Sequence, residues 1–281
     1  MKPAAFGYTR PASLDAAAEA IAGGAAKPAS GTQSLGPMLN LRLARPGHLV
    51  DLSALPELTS IVVEPDGRLR IGAGVTHGRI EDGALPENGP RSEMLRHVAG
   101  DIAYRAVRNR GTLGGSLAHA DPAADWVTTM TALDATLELI AWRSGRLARR
   151  QIAMRRFMLG AYRTALESDE ILSAVLLPKL SDSACWGYAK ICRKVGEFAD
   201  AMAAVVLDPA SGYARGVVGS TGGAPVLFPH LAADLARQGQ VPEEAVVGEA
   251  LDAALPGLAL VKRKLMTVAL VRAMSQTVVR Q

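Results

Sequence analysis

The feature that most limits this chain is a pair of loops built almost entirely of small residues. Residues 27–40 read KPASGTQSLGPMLN, and residues 108–124 read RNRGTLGGSLAHADPAA. Each packs glycine and hydroxyl residues into a few positions, GTQS at 31–34 and TLGGS at 112–116. Glycines let the backbone bend and let a ligand come close to it. Successive open N–H groups form an anion-binding nest, and Ser and Thr hydroxyls add donors without charge. Two such loops, about 80 residues apart, can clasp one long ligand that bears a pyrophosphate. A Gly/Ser-rich loop is more often a plain turn, and the residues alone leave both readings open.

The elements around the loops alternate between short helices and short strands. Residues 11–24 predict a helix, with Ser13 as N-cap, Leu14, Ala17, Ala18 and Ile21 on one face, and Gly23-Gly24 as the stop. Strands are expected at 48–52, 61–64 and 68–72, the last two joined through Pro65-Asp66-Gly67. Residues 91–104 predict a helix, and so do 123–132, with Asp121 as N-cap and Pro122 at the first position. Further strands follow at 136–141, 171–177, 188–192, 202–207 and 213–218. Two helices close the chain, at 243–255 and from Leu258, whose Leu258, Val261, Leu265 and Val268 share a face. Strands followed by helices make the class α+β.

Several functions are excluded by residue counts. Two cysteines, Cys185 and Cys192, cannot supply a disulfide scaffold, a four-Cys zinc site or an iron–sulfur cluster. The five histidines show no metal-ligand spacing. The net charge is +4 and aromatics are 4% of residues, so a basic groove with stacking platforms is not expected. No apolar run reaches the ~18 residues of a membrane helix. The opening residues lack the apolar core of a signal peptide, and a cytoplasmic location is expected. Gly72-Ala-Gly74 lacks the third glycine of a Rossmann fingerprint and reads as a strand end; 219–223 reads as a turn.

Five blocks then carry a resemblance. Residues 27–46 (KPASGTQSLGPMLNLRLARP) and 107–125 (VRNRGTLGGSLAHADPAAD) resemble the first and second flavin loops of the FAD-binding medium subunits of molybdenum hydroxylases. That family includes carbon monoxide dehydrogenase, aldehyde and N-heterocycle hydroxylases and the xanthine dehydrogenases. Residues 188–198 (YAKICRKVGEF) resemble its third block, by the flavin ring. The opening FGYTRPASLDAA and GSTGGAP at 219–225 fit as well.

The resemblance implies a two-lobed FAD-binding domain of the PCMH type, with lobes at 1–55 and 56–177, and a C-terminal α+β domain at 178–281 with an antiparallel sheet and helices. It implies that Ala29, Ser30, Gly31, Thr32, Gln33, Ser34 and Leu35 line the FAD diphosphate together with Thr112, Leu113, Gly114, Gly115 and Ser116. Many relatives have two glycines where Gly31-Thr32 stands, and Asn at Ser116. Asp125 matches the carboxylate that accepts from ligand hydroxyls, Ile102 and Ala103 the apolar positions against the ligand, and Leu172 a residue near the isoalloxazine ring. Tyr188 would offer a ring face to the flavin, and Lys190 would stabilise its anionic reduced form. Arg108 and Arg110 are expected either to neutralise the diphosphate or to form ion pairs. Gly114→Val is expected to block the diphosphate and leave a colourless protein.

In this reading the chain is an electron-transfer subunit of a heterotrimeric enzyme, with no catalytic proton-transferring residue and no metal of its own. The molybdenum cofactor and two [2Fe–2S] clusters belong to partner chains, a large molybdenum subunit and a small iron–sulfur subunit, in a dimer of heterotrimers. FAD passes electrons to an external acceptor, and the hydroxylated substrate is an aldehyde, carbon monoxide, a purine or an N-heteroaromatic. The rivals are a free-standing FAD oxidase of the same flavin fold and a binding module without flavin.

Overall fold

A computed structural model describes residues 2–279. The chain begins with β1 (Gly7–Thr9), α1 (Leu14–Ile21), β2 (Lys27–Ala29), α2 (Leu35–Asn40) and β3 (His48–Asp51). The three strands form a small parallel sheet in the order β1-β3-β2. The helix α1 forms as its sequence predicts. Ser13 caps it by accepting from the Ala16 amide at 3.2 Å. Leu14, Ala17, Ala18 and Ile21 are all buried, packed with Val50, Leu52, Ile140 and Ile171.

The middle of the chain holds α3 (Pro56–Thr59), β4 (Ile61–Val63), β5 (Leu69–Gly72), α4 (His77–Glu81), α5 (Pro90–Asp101), α6 (Arg105–Arg108), α7 (Leu113–His119) and α8 (Asp125–Ala132). It continues with β6 (Thr136–Arg143), β7 (Arg146–Ala153), α9 (Met154–Phe157), β8 (Met158–Gly160), β9 (Arg163–Thr164) and β10 (Glu170–Leu177). Five of these strands make an antiparallel sheet in the order β4-β5-β10-β6-β7. Gly72 and Gly74 end β5 where the backbone of Leu58 crosses close by, which is the strand-end role expected of them.

The remainder is β11 (Cys185–Ile191), β12 (Ala201–Asp208), β13 (Tyr213–Gly219), β14 (Val226–Leu227), α10 (Pro229–Gln238), α11 (Glu244–Ala254) and α12 (Leu260–Val279). Its four strands are antiparallel in chain order. Side chains alternate across a strand, and here both faces are covered. Trp186, Tyr188, Ala204, Val206 and Val217 join the core that also contains Leu69, Ile71, Trp126 and Leu172. Cys185, Ala189, Val205, Leu207 and Val218 pack instead on α10, α11 and α12.

Three expectations are corrected. Asp121 does not cap α8; Ala124 occupies that position without a side-chain bond. Asp121 Oδ1 instead accepts from the Ala123 amide, 2.9 Å, in a turn. The second small-residue loop contains a helix, α7, which Thr112 caps through the Gly115 amide. The buried stripe of α12 is Met266, Ala269, Leu270, Ala273 and Met274, whereas Val261 is 74% exposed. The register of that face is therefore one residue later than Leu265 and Val268 suggest.

Candidate flavin site

The first loop joins β2 to α2. Ala29 is buried at the strand end, and its carbonyl accepts from Leu52 N at 2.7 Å. Ser30 Oγ is shut off from solvent with no hydrogen-bond partner. The Gln33 side-chain amide donates back to the Gly31 carbonyl, 3.1 Å. Among the described residues, no protein group accepts from the amides of Gly31, Thr32, Gln33 or Ser34. Thr32 adopts φ +57, a left-handed conformation that costs a β-branched residue free energy. Four consecutive open amides and a buried hydroxyl without a partner make the nest that the sequence predicts for this loop.

The second loop is different. The amides of Leu113 and Gly114 donate to the carbonyls of Val75 and Ala73, at 3.0 and 2.8 Å. The Gly115 amide donates to Thr112 Oγ1 at 3.1 Å, and Ser116 N donates to the Thr112 carbonyl at 3.0 Å. Its amides are thus engaged inside the protein, and its small residues serve close packing. A Cβ on Gly114 would overlap Ala73, with Ala73 Cα at 2.8 Å. The Gly114→Val change therefore disrupts the packing of α7 on Ala73, just past β5, before any ligand is considered. Leu113 is fully buried and Thr112 nearly so.

The two loops touch. A Cβ on Gly31 would fall inside the Arg110 carbonyl and lie 2.9 Å from Gly111 Cα. Gly111 is held from behind by His77, whose amide donates to the Gly111 carbonyl at 2.9 Å. The His77 ring is buried, and Nδ1 accepts from Trp126 Nε1 at 3.0 Å. Burial, aided by the Arg108 charge, lowers the His77 pKa from 6.5 to about 4. The imidazole is neutral at pH 7.

A second group gathers around Asp125, the first residue of α8. Asp125 Oδ1 accepts from Tyr188 Oη at 2.6 Å and from Lys190 Nζ at 2.8 Å. Lys190 Nζ also donates to the Asp101 carbonyl, 3.1 Å, at the end of α5 beside Ile102 and Ala103. Burial pushes the Asp125 carboxyl up, opposed by Lys190 and then by the Tyr188 hydrogen bond. Burial and the adjoining Asp125 carboxylate hold the Tyr188 phenol well above its ordinary range, so it stays a donor. Tyr188 is 2% exposed. Its ring lies in the core, and its hydroxyl holds the Asp125 carboxylate. Leu172, also buried, sits at an irregularity of β10.

Sequence reasoning missed the residue that fixes Tyr188. The Gln276 side chain of α12 accepts from Tyr188 N at 2.9 Å and donates to Tyr188 O at 3.0 Å. Gly187 lets α12 approach so closely, since a Cβ there would overlap the Ala273 carbonyl. Gln276 lies 88 positions from Tyr188, and no local pattern announces such a contact. Arg108 is engaged by Glu81 and by the carbonyls of Ile102 and Ala103, which decides for ion pairing over the diphosphate.

An anion nest abutting a glycine-lined helix start defines a protein fitted to an anionic ligand. The chain belongs to the family described as FAD binding domain in molybdopterin dehydrogenase, which matches residues 4–180. It is 33% identical to the caffeine dehydrogenase subunit beta of Pseudomonas sp. (strain CBB1), over 81% of this chain and 77% of that one. It is 36% identical to the nicotine 6-hydroxylase medium subunit of Paenarthrobacter nicotinovorans, over 80% and 76%. Its structure superposes with a TM-score of 0.85 on a chain of Hydrogenophaga pseudoflava carbon monoxide dehydrogenase lacking the Mo-pyranopterin moiety, at 29% sequence identity, covering 100% of this chain and 99% of that one. The chain is an FAD-binding medium subunit of the molybdenum hydroxylase family, and an oxidoreductase component.

Proposed function

We propose that the chain carries FAD in a heterotrimeric molybdenum hydroxylase and relays electrons from a partner's [2Fe–2S] clusters to an external acceptor. The observation that supports this best is the contact between Gly31 and Gly111, which brings the four open amides of 31–34 against the second loop. Residues 29–35, with the hydroxyl residues of 112–116, would hold the diphosphate. Ile102, Ala103 and Leu172 would give the ring apolar contacts. Asp125 would accept from ligand hydroxyls, and Lys190 would lower the cost of negative charge on the reduced ring. Tyr188 keeps Asp125 in place. When bound, FAD supplies the redox chemistry, and the chain binds, orients and shields it.

The cysteine count supports a division of labour. Two cysteines fall short of the four ligands of one cluster, so the clusters are assigned to a partner chain; the family resemblance adds the molybdenum cofactor in a second partner and a dimer of heterotrimers. We read the chain as FAD lobes at 1–55 and 56–177 and a C-terminal domain at 178–281. No helix among the described residues is long and apolar enough to cross a membrane, and we place the enzyme in the cytoplasm. The hydroxylated substrate binds a partner chain; aldehydes, carbon monoxide, purines and N-heteroaromatics all fit this subunit. Native mass spectrometry of the complex purified through this chain tests the assignment. An iron–sulfur and a molybdenum partner support it, and a lone yellow oxidase contradicts it.

A further inference from the structure

The helix α5 ends at Asp101, and the chain reverses before α6. Ala103, in the middle of that reversal, has φ +45. A residue with a Cβ holds this conformation only where its surroundings fix it. Three successive carbonyls of the turn are gripped by cations. Lys190 Nζ donates to Asp101 O at 3.1 Å. Arg108 Nη1 donates to both Ile102 O and Ala103 O, each at 3.0 Å.

The rest of the Arg108 fork is braced by one carboxylate. Nε donates to Glu81 Oε2 at 2.8 Å and Nη2 to Glu81 Oε1 at 2.9 Å. The Arg108 side chain is 13% exposed. These bonds also hold the Glu81 carboxyl below its usual range. On the other side, Gly196 packs so tightly that a Cβ there would stand 3.1 Å from Ala103 O. Lys190 bonds both Asp101 O and Asp125 Oδ1, and so ties the turn to the Asp125 group.

We propose that Arg108, braced by Glu81, is a positioning residue that holds the left-handed turn at Ala103 in the shape the flavin site requires. This rests on the FAD reading above. Arg108 does not itself reach the cofactor in this scheme. A lysine at 108 keeps the charge but cannot span two carbonyls and a carboxylate at once. A glycine at 103 adopts positive φ freely and needs no clamp.

The test is FAD titration of the full chain, followed by flavin fluorescence, for wild type, R108K, A103G and the double variant. R108K is expected to bind FAD about tenfold more weakly, with A103G/R108K recovering to within about threefold of wild type. A103G alone, which gives up one methyl contact with the ring, is expected to bind within about threefold of wild type. Rescue by glycine distinguishes a positioning role from a general loss of stability. R108K binding FAD as tightly as wild type, or A103G failing to restore it, overturns the inference. Should R108K not fold, E81Q removes the brace and leaves the arginine. E81Q is then expected to weaken FAD by about threefold, and unchanged affinity overturns the inference. Failure of the wild-type chain to bind FAD overturns the underlying reading, and is recognised from that arm alone.

Discussion

Lys190 Nζ stands 2.8 Å from Asp125 Oδ1 across 65 residues of sequence, with 7% and 5% of their side chains exposed. Removing one member of a buried pair leaves the other charge without compensation, which costs about 3–5 kcal/mol. Lys190→Met is expected to destabilise the chain by about that much in urea denaturation, and Lys190→Met with Asp125→Asn to recover most of it. A loss below about 1 kcal/mol in the single variant would mean that the pair is solvated.

His77 gives the fold a pH dependence of known sign. Its pKa falls from 6.5 to about 4 on folding, so the unfolded chain takes up the proton first. The stabilisation is complete above pH 6.5, declines as pH falls towards about 4, and changes no further below that. The span corresponds to about 3 kcal/mol. Denaturation midpoints between pH 7 and pH 4 should show this slope in wild type and a shallower one in His77→Asn.

Two glycines of the first loop make a matched pair. Gly31→Ala puts a methyl into the Arg110 carbonyl; it should cost about 1–3 kcal/mol and abolish flavin retention. Gly36→Ala meets nothing within 4 Å and lies in α2. It should gain about 0.5–1 kcal/mol and keep the flavin. Thermal unfolding and the visible spectrum read both outcomes, and equal effects of the two changes would refute the contact between the loops.

Thr32 tests the strain in that nest. Its φ of +57 costs about 1–2 kcal/mol for a residue with a Cβ, of which glycine would return a part because of its greater chain entropy. Thr32→Gly is expected to raise stability by up to about 1 kcal/mol while retaining FAD. A drop in calorimetric melting temperature would contradict the strain.

Much of the fold is written locally. The helix α1 follows from Ser13 and the Leu14, Ala17, Ala18, Ile21 spacing, and β12 from its apolar run, buried on both faces. The strand β7 escapes such reading because it is an edge strand rich in arginine, RLARRQIA, whose Arg149 and Arg150 reach back to Glu138 and Glu170. Asp121 mimics a cap because an Asx turn and an N-cap ask for the same side chain. At the site, the small-residue composition announces both loops, yet it does not reveal that only the first keeps its amides open. The Asp125–Lys190 and Tyr188–Gln276 contacts depend on tertiary packing; the family resemblance singled out Asp125, Tyr188 and Lys190 one by one, but neither contact.

The central claim is that the abutting loops seat one FAD. Full-length protein, purified without added flavin and then denatured, should release close to one FAD per chain by absorbance near about 450 nm, and Gly31→Ala prepared alongside should release almost none. Wild-type protein that neither carries FAD nor takes it up on titration, or a Gly31→Ala protein that carries as much as wild type, would contradict the account.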